Sequence, residues 1–128
     1  MNDERHTELS AEFKRLINNG DAIGPLAMAN GKTSASITVA TSGPGQSKDE
    51  QYWAFIIPEG YIRFSGNFEK SHNNGDSAQC DWANGNPADG TVYAKVRASG
   101  INGKARAAAN NIYAIKPEAA RNLYEQSK

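Results

Sequence analysis

The stretch Thr91–Lys116 reads TVYAKVRASGINGKARAAANNIYAIK, and its pattern changes at Gly100. Before Gly100 it alternates. Val92, Ala94, Val96 and Ala98 fall on one side of a strand, and Tyr93, Lys95, Arg97 and Ser99 on the other. Asn102-Gly103 tolerates the positive φ of a type I′ turn, so the stretch predicts a hairpin of strands 91–99 and 104–116. With a two-residue turn, Ser99 faces Arg106 and Arg97 faces Ala108. Lys95, Arg97, Lys104 and Arg106 then project from one face beside Tyr93. The opposite face carries Ala105, Ala107 and Ala109, small enough for a helix to approach closely. A bulge at Asn110-Asn111 would invert the parity of everything after it.

Working outward, the same turn chemistry recurs. Asn-Gly stands at 19–20, 30–31, 74–75 and 84–85, and Asp-Gly at 89–90. Between these turns alternating segments predict strands at roughly 51–57, 61–69 and 77–83, with 34–41 added at an edge or closing the sheet. YWAFII (residues 52–57) is apolar on both parities, which predicts a central strand covered on both sides. Residues 43–50, GPGQSKDE, read as a mobile polar loop. Ile62, Phe64, Phe68, Ala78, Cys80 and Trp82 share the predicted core face with Val92–Ala98, and Trp53 and Trp82 read as core. Tyr52 points opposite to Trp53.

Leu9, Phe13, Leu16 and Ile17 form one face of a helix over 7–18, with Thr7 as N-cap and Gly20 as a left-handed C-terminal cap. Pro117 opens a second helix, which Ala119 or Ala120 and Leu123 could dock. The expected class is α+β: an N-terminal helix, a twisted antiparallel meander of five to six strands, open or barrel-like, and a short C-terminal helix.

The 128 residues suit one domain, 1–128, with 1–6 frayed. A lone Cys80 forbids an intrachain disulfide. The charged start MNDERHT has no apolar region behind it, and no apolar run approaches a membrane span. A cytoplasmic protein without membrane association is expected. Fourteen basic residues balance fourteen acidic ones, so only a local patch could attract a polyanion.

Motifs for catalysis are missing. GINGKA has two residues between its glycines where a phosphate loop needs four, and Ala follows the Lys where a hydroxyl is needed. His6, His72 and Cys80 lack metal-ligand spacing, and Asp76 and Asp81 do not follow the order of a calcium loop. Neither enzyme activity nor a cofactor or metal is expected. Cations interleaved with tyrosines on a sheet suit single-stranded nucleic acid, phosphates meeting the cations and bases stacking on rings. The expected contact residues are Tyr61, Arg63, Tyr93, Lys95, Arg97, Lys104 and Arg106. Two other classes fit the same features. One is a protein-interaction or inhibitor module, oligomeric and working through the sheet or an edge strand, as in accessory proteins of mobile elements. The other is a pocket protein that sets Arg63, Arg97 or Arg106 around the phosphate of a nucleotide-like ligand.

Overall fold

The computed structural model describes residues 11–126. Helix α1 occupies residues 11–18 and is followed by strand β1, Ala22–Ile23. Strands β2 (Ala35–Ala54), β3 (Ile62–His72), β4 (Ser77–Trp82) and β5 (Thr91–Ile115) come next, and helix α2 (Pro117–Gln126) closes the order. The α+β class and the antiparallel sheet agree with the sequence reading. The sheet is not closed into a barrel. The residues proposed to fray and the Thr7 cap lie outside the described residues.

The central difference is that 91–99 and 104–116 are not the arms of a hairpin. They are one strand, β5, with which every other strand pairs. Along one edge β5 takes β2, from Ala54 opposite Thr91 to Ala35 opposite Ala109, and then β1 opposite Ala114 and Ile115. Along the other edge it takes β4, opposite residues 92–97, and β3, opposite residues 105–115. The pairing therefore converges on one strand instead of passing from neighbour to neighbour as in a meander.

Residues 99–104 turn this strand without reversing it. Gly100 and Asn102 have φ of 72° and 62°, in the left-handed region that an extended L-residue avoids. The opposite strand is irregular at the same place, with register shifts between Ala40 and Ser42 and between Ser42 and Gln46. GPGQSKDE is therefore part of β2, and its glycines sit at a corner of the sheet. Asn-Gly served the hairpin reading because it supplies positive φ, and a bulge uses that freedom equally well. The Thr41 hydroxyl donates to the Gly100 carbonyl at 2.5 Å. A Cβ on Gly103 would run into the same hydroxyl and the Ser99 backbone.

The β3–β4 connection braces the corner from the other edge. Asp76 is 8% exposed, and its carboxylate accepts from Ser99 N at 3.0 Å and from Lys104 N at 2.7 Å. One buried carboxylate thus spans both ends of the bulge, with charge-assisted bonds where the ladder is interrupted. Asn73 adds bonds from its side chain to the Asn102 carbonyl and from its backbone N–H to the Lys104 carbonyl. Asp76, considered above as a calcium ligand, is a structural clasp.

Beyond the corner the two halves of β5 share one core. Val92, Ala94 and Val96 join Ala105, Ala107 and Ala109, together with Ile37, Trp53, Phe55, Cys80 and Ile112. The alanines expected beneath a helix are instead covered by other parts of the folded sheet. Tyr52–Ile57 buries only one parity: Trp53 and Phe55 are buried, while Tyr52 and Ile56 are exposed. The Asn110-Asn111 bulge is present, with Asn111 at φ 51° and a register shift against β3.

The helices close the far end of the sheet. Gly20 caps α1 in the left-handed conformation, with Asp21 N bonded to the Leu16 carbonyl and Gly20 N to the Ile17 carbonyl, a Schellman pattern. Phe13 stacks on Phe64 at 5.5 Å and meets Tyr113 edge-on at 4.8 Å. Leu16, Ala22, Ile115 and Ala119 form a second buried cluster, against which Ala120 and Leu123 of α2 pack.

Candidate nucleic-acid interface

Three cross-strand rows build the outer face of the first half-sheet, which consists of β2 after the corner, β5 before it, and β4. Lys48 lies opposite Arg97 and Arg97 opposite Ser77; Glu50 opposite Lys95 and Lys95 opposite Gln79; Tyr52 opposite Tyr93 and Tyr93 opposite Asp81. Strict alternation places all nine on the face that Val92, Ala94 and Val96 leave to solvent. The face therefore carries a cationic row, a mixed row and a tyrosine row. About 13 Å separates the first from the last over four residues of strand.

The tyrosine row is an open aromatic surface. The rings of Tyr52 and Tyr93 are 5.0 Å apart at 45°, and Tyr52 is 63% exposed. Desolvation, a hydrogen bond to Glu50 and the charge of that carboxylate raise the Tyr93 phenol above its ordinary range. The ring is accordingly neutral at physiological pH.

The cationic row sets two like charges side by side. Such a cross-strand pair is unfavourable unless an anion offsets it. Among the described residues no carboxylate lies within ion-pair distance of Lys48, Lys95 or Arg97. A cleft of about 430 Å³ is lined by these three with Gln46, Asp49 and Glu50. Asp49, Glu50 and Asp81 keep the surroundings from being uniformly positive.

The seven residues expected at the interface do not gather. Tyr93, Lys95 and Arg97 share the face just described. Lys104 and Arg106 lie past the corner on the second half-sheet, opposite Ala40 and Thr38. There Arg106 is 3.9 Å from Glu69. Tyr61 and Arg63 have structural work instead. The Tyr61 hydroxyl donates to the Gly20 carbonyl at 2.8 Å, tying β3 to the α1 cap. Arg63 lies 4.9 Å above the Trp82 ring and donates to the Asn84 and Asp89 carbonyls, anchoring the 83–90 loop. Asp89 accepts there from Thr91 N and Asn84 Nδ2. Hydrogen bonding by the Thr91 side chain, then by the Asn84 amide and the Thr91 backbone N–H, lowers its pKa, aided by the Arg63 charge.

The sequence reading missed Lys48, assigned to a loop, and left Tyr52 without a partner. Their signal was the alternation of Lys48, Glu50 and Tyr52, which matches that of Tyr93, Lys95 and Arg97 when the segments are set antiparallel.

Cys80 is 3% exposed, and burial pushes its thiol up to about 11, which suits a core residue. Among the described residues no three His, Cys, Asp or Glu side chains gather as metal ligands, and no helix is long and apolar enough to cross a membrane. Comparison with protein-family models, curated proteins and solved structures finds no match, so the functional reading rests on this chain's own residues.

Proposed function

We propose that the protein holds a short run of single-stranded nucleic acid across the outer face of β2, β5 and β4. The supporting observation is the Tyr52–Tyr93 ring pair, with Tyr52 exposed and Tyr93 half-buried, on the same face as the unneutralised Lys48–Arg97 pair. Bases stack on Tyr52, while phosphates bridge Lys48 and Arg97 and reach Lys95. Such contacts bind without reading sequence, because every base has a π-face and every nucleotide a phosphate. The face needs no catalytic group for this role.

The test is fluorescence anisotropy of a labelled single-stranded oligonucleotide at low and physiological salt. With three phosphate contacts, the logarithm of the binding constant falls with the logarithm of salt at a slope of about −2. Tyr52→Ala weakens binding by about 1–3 kcal/mol with the slope preserved. The double variant Lys48→Ala/Arg97→Ala loses most of the slope. Absence of wild-type binding at low salt would sink the proposal.

A second reading has its own observation. Strand β2 pairs only with β5, so among the described residues its other edge is open along its length. Lys48, Asp49, Glu50 and Pro44 guard one half, whereas Ala35–Thr41 (ASITVAT) has neither charge nor proline. A protein strand could add there by main-chain bonds. Association insensitive to salt and to Lys48→Ala/Arg97→Ala favours this reading.

A further inference from the structure

A second recess, of about 620 Å³, is lined by the loop before β2, by both ends of β2 and by the second half of β5; Gln51 and Trp53, which flank Tyr52 in the chain, enter it with the opposite strand parity. Met28 and Trp53 give it apolar wall, and Lys32 and Arg106 supply its only charges. No Asp or Glu lines it, although Glu69 stands 3.9 Å from Arg106 and offsets part of that charge.

The hydrogen bonds within the wall decide what it can recognise. Its amide oxygens already accept: Gln51 Oε1 from Trp53 Nε1 at 2.9 Å, Asn110 Oδ1 from Asn67 at 2.9 Å, and Asn30 Oδ1 from Lys32 N at 2.9 Å. The Asn110 amide N–H donates to Glu69, which helps hold that side of the recess. The Lys32 ammonium, the Arg106 guanidinium and the Asn30 amide nitrogen make no side-chain hydrogen bond among the described residues, nor do the hydroxyls of Ser34 and Ser36. The uncommitted groups are therefore donors or hydroxyls, with net positive charge, in a space of ordinary small-ligand size.

We propose that this recess binds a small phosphate ester with a hydroxylated remainder, a phosphorylated sugar or mononucleotide. Lys32 and Arg106 hold the phosphate; Ser34, Ser36 and Asn30 meet the hydroxyls. The site shares no lining residue with the face proposed for nucleic acid, so either can fail without the other.

Titration of the ¹⁵N-labelled protein with ribose 5-phosphate, followed at the Trp53 indole N–H and the Ser34 and Ser36 amides, tests the assignment. Saturable shifts are expected at these positions, with binding weakened about tenfold or more by Lys32→Ala or by Arg106→Gln. Free ribose binds far more weakly, and Arg97→Ala leaves the titration unchanged. Lys32 is in an exposed loop, so its variant reports binding even where Arg106→Gln alters the sheet. The proposal is overturned if these signals do not move at about 10 mM ligand, well above a millimolar dissociation constant. It is equally overturned if the Lys32→Ala variant titrates like wild type.

Discussion

Asp76 shows how much one side chain can hold in an interrupted sheet. Its two oxygens satisfy backbone donors on either side of a bulge, so truncation leaves Ser99 N and Lys104 N without their partner. Asp76→Ala should destabilise the fold by about 3 kcal/mol in urea unfolding, and Asp76→Asn by less, because one oxygen still accepts. A cost within about 0.5 kcal/mol, typical of surface substitutions, would mean that the corner is held some other way. Asp89 acts through its charge instead. Its folded pKa lies below the ordinary value of 3.8, so its contribution is present above that value and is lost as pH falls through the folded pKa. Below about pH 4 the acid limb of a stability–pH curve should therefore be shallower for Asp89→Asn than for wild type. Parallel limbs would show that the carboxylate bonds are equally strong in the unfolded chain.

The corner is also where sequence and structure part, and the reason lies in what glycine and asparagine encode. Local chemistry marked Asn102 as a place for positive φ and set the buried parity of Val92 through Ala98, but left open whether the chain bulges at Asn110-Asn111. It could not separate a chain that reverses from one that turns and continues, because that depends on which strand lies alongside. Here β2 runs past the corner and supplies partners on both sides of it. The same ambiguity affected the interface: Tyr93, Lys95 and Arg97 were correctly set on one face, whereas Lys104 and Arg106 followed the hairpin that did not form. Arg63 and Tyr61 could not have been excluded from sequence, because their partners at Asn84, Asp89 and Gly20 are distant along the chain. The corner makes its own prediction. Gly103→Ala places a methyl against Thr41 and the Ser99 backbone, and should cost about 2–4 kcal/mol in urea unfolding. Asn102→Gly, which keeps the required φ freely, should change stability by less than about 1 kcal/mol. A cost below about 1 kcal/mol for Gly103→Ala would show that the corner makes room for the methyl.

At the scale of the molecule, one strand carries the ladders of all the others, and this governs how the protein opens. The nearest β2–β5 pair, Ala54 with Thr91, already encloses all of β3 and β4, so few pairings can form locally. Folding should accordingly be slow for a domain of this size, on the order of milliseconds to seconds. Removing β2 or β3 strips an edge from β5 and uncovers part of the shared core, whereas fraying the outer edge of β2 exposes little. Native-state hydrogen exchange should therefore divide the amides by neighbour rather than by sequence. Residues 92–97 and 105–109 of β5, flanked on both edges, should exchange only by global unfolding, with the same free energy as urea denaturation. The amides of β2 that point away from β5 should exchange by local opening at far lower cost. Subglobal opening of residues 104–115 while 91–99 stay protected would instead show that the corner is a hinge between two separately stable halves, and that the shared core does not bind them into one cooperative unit.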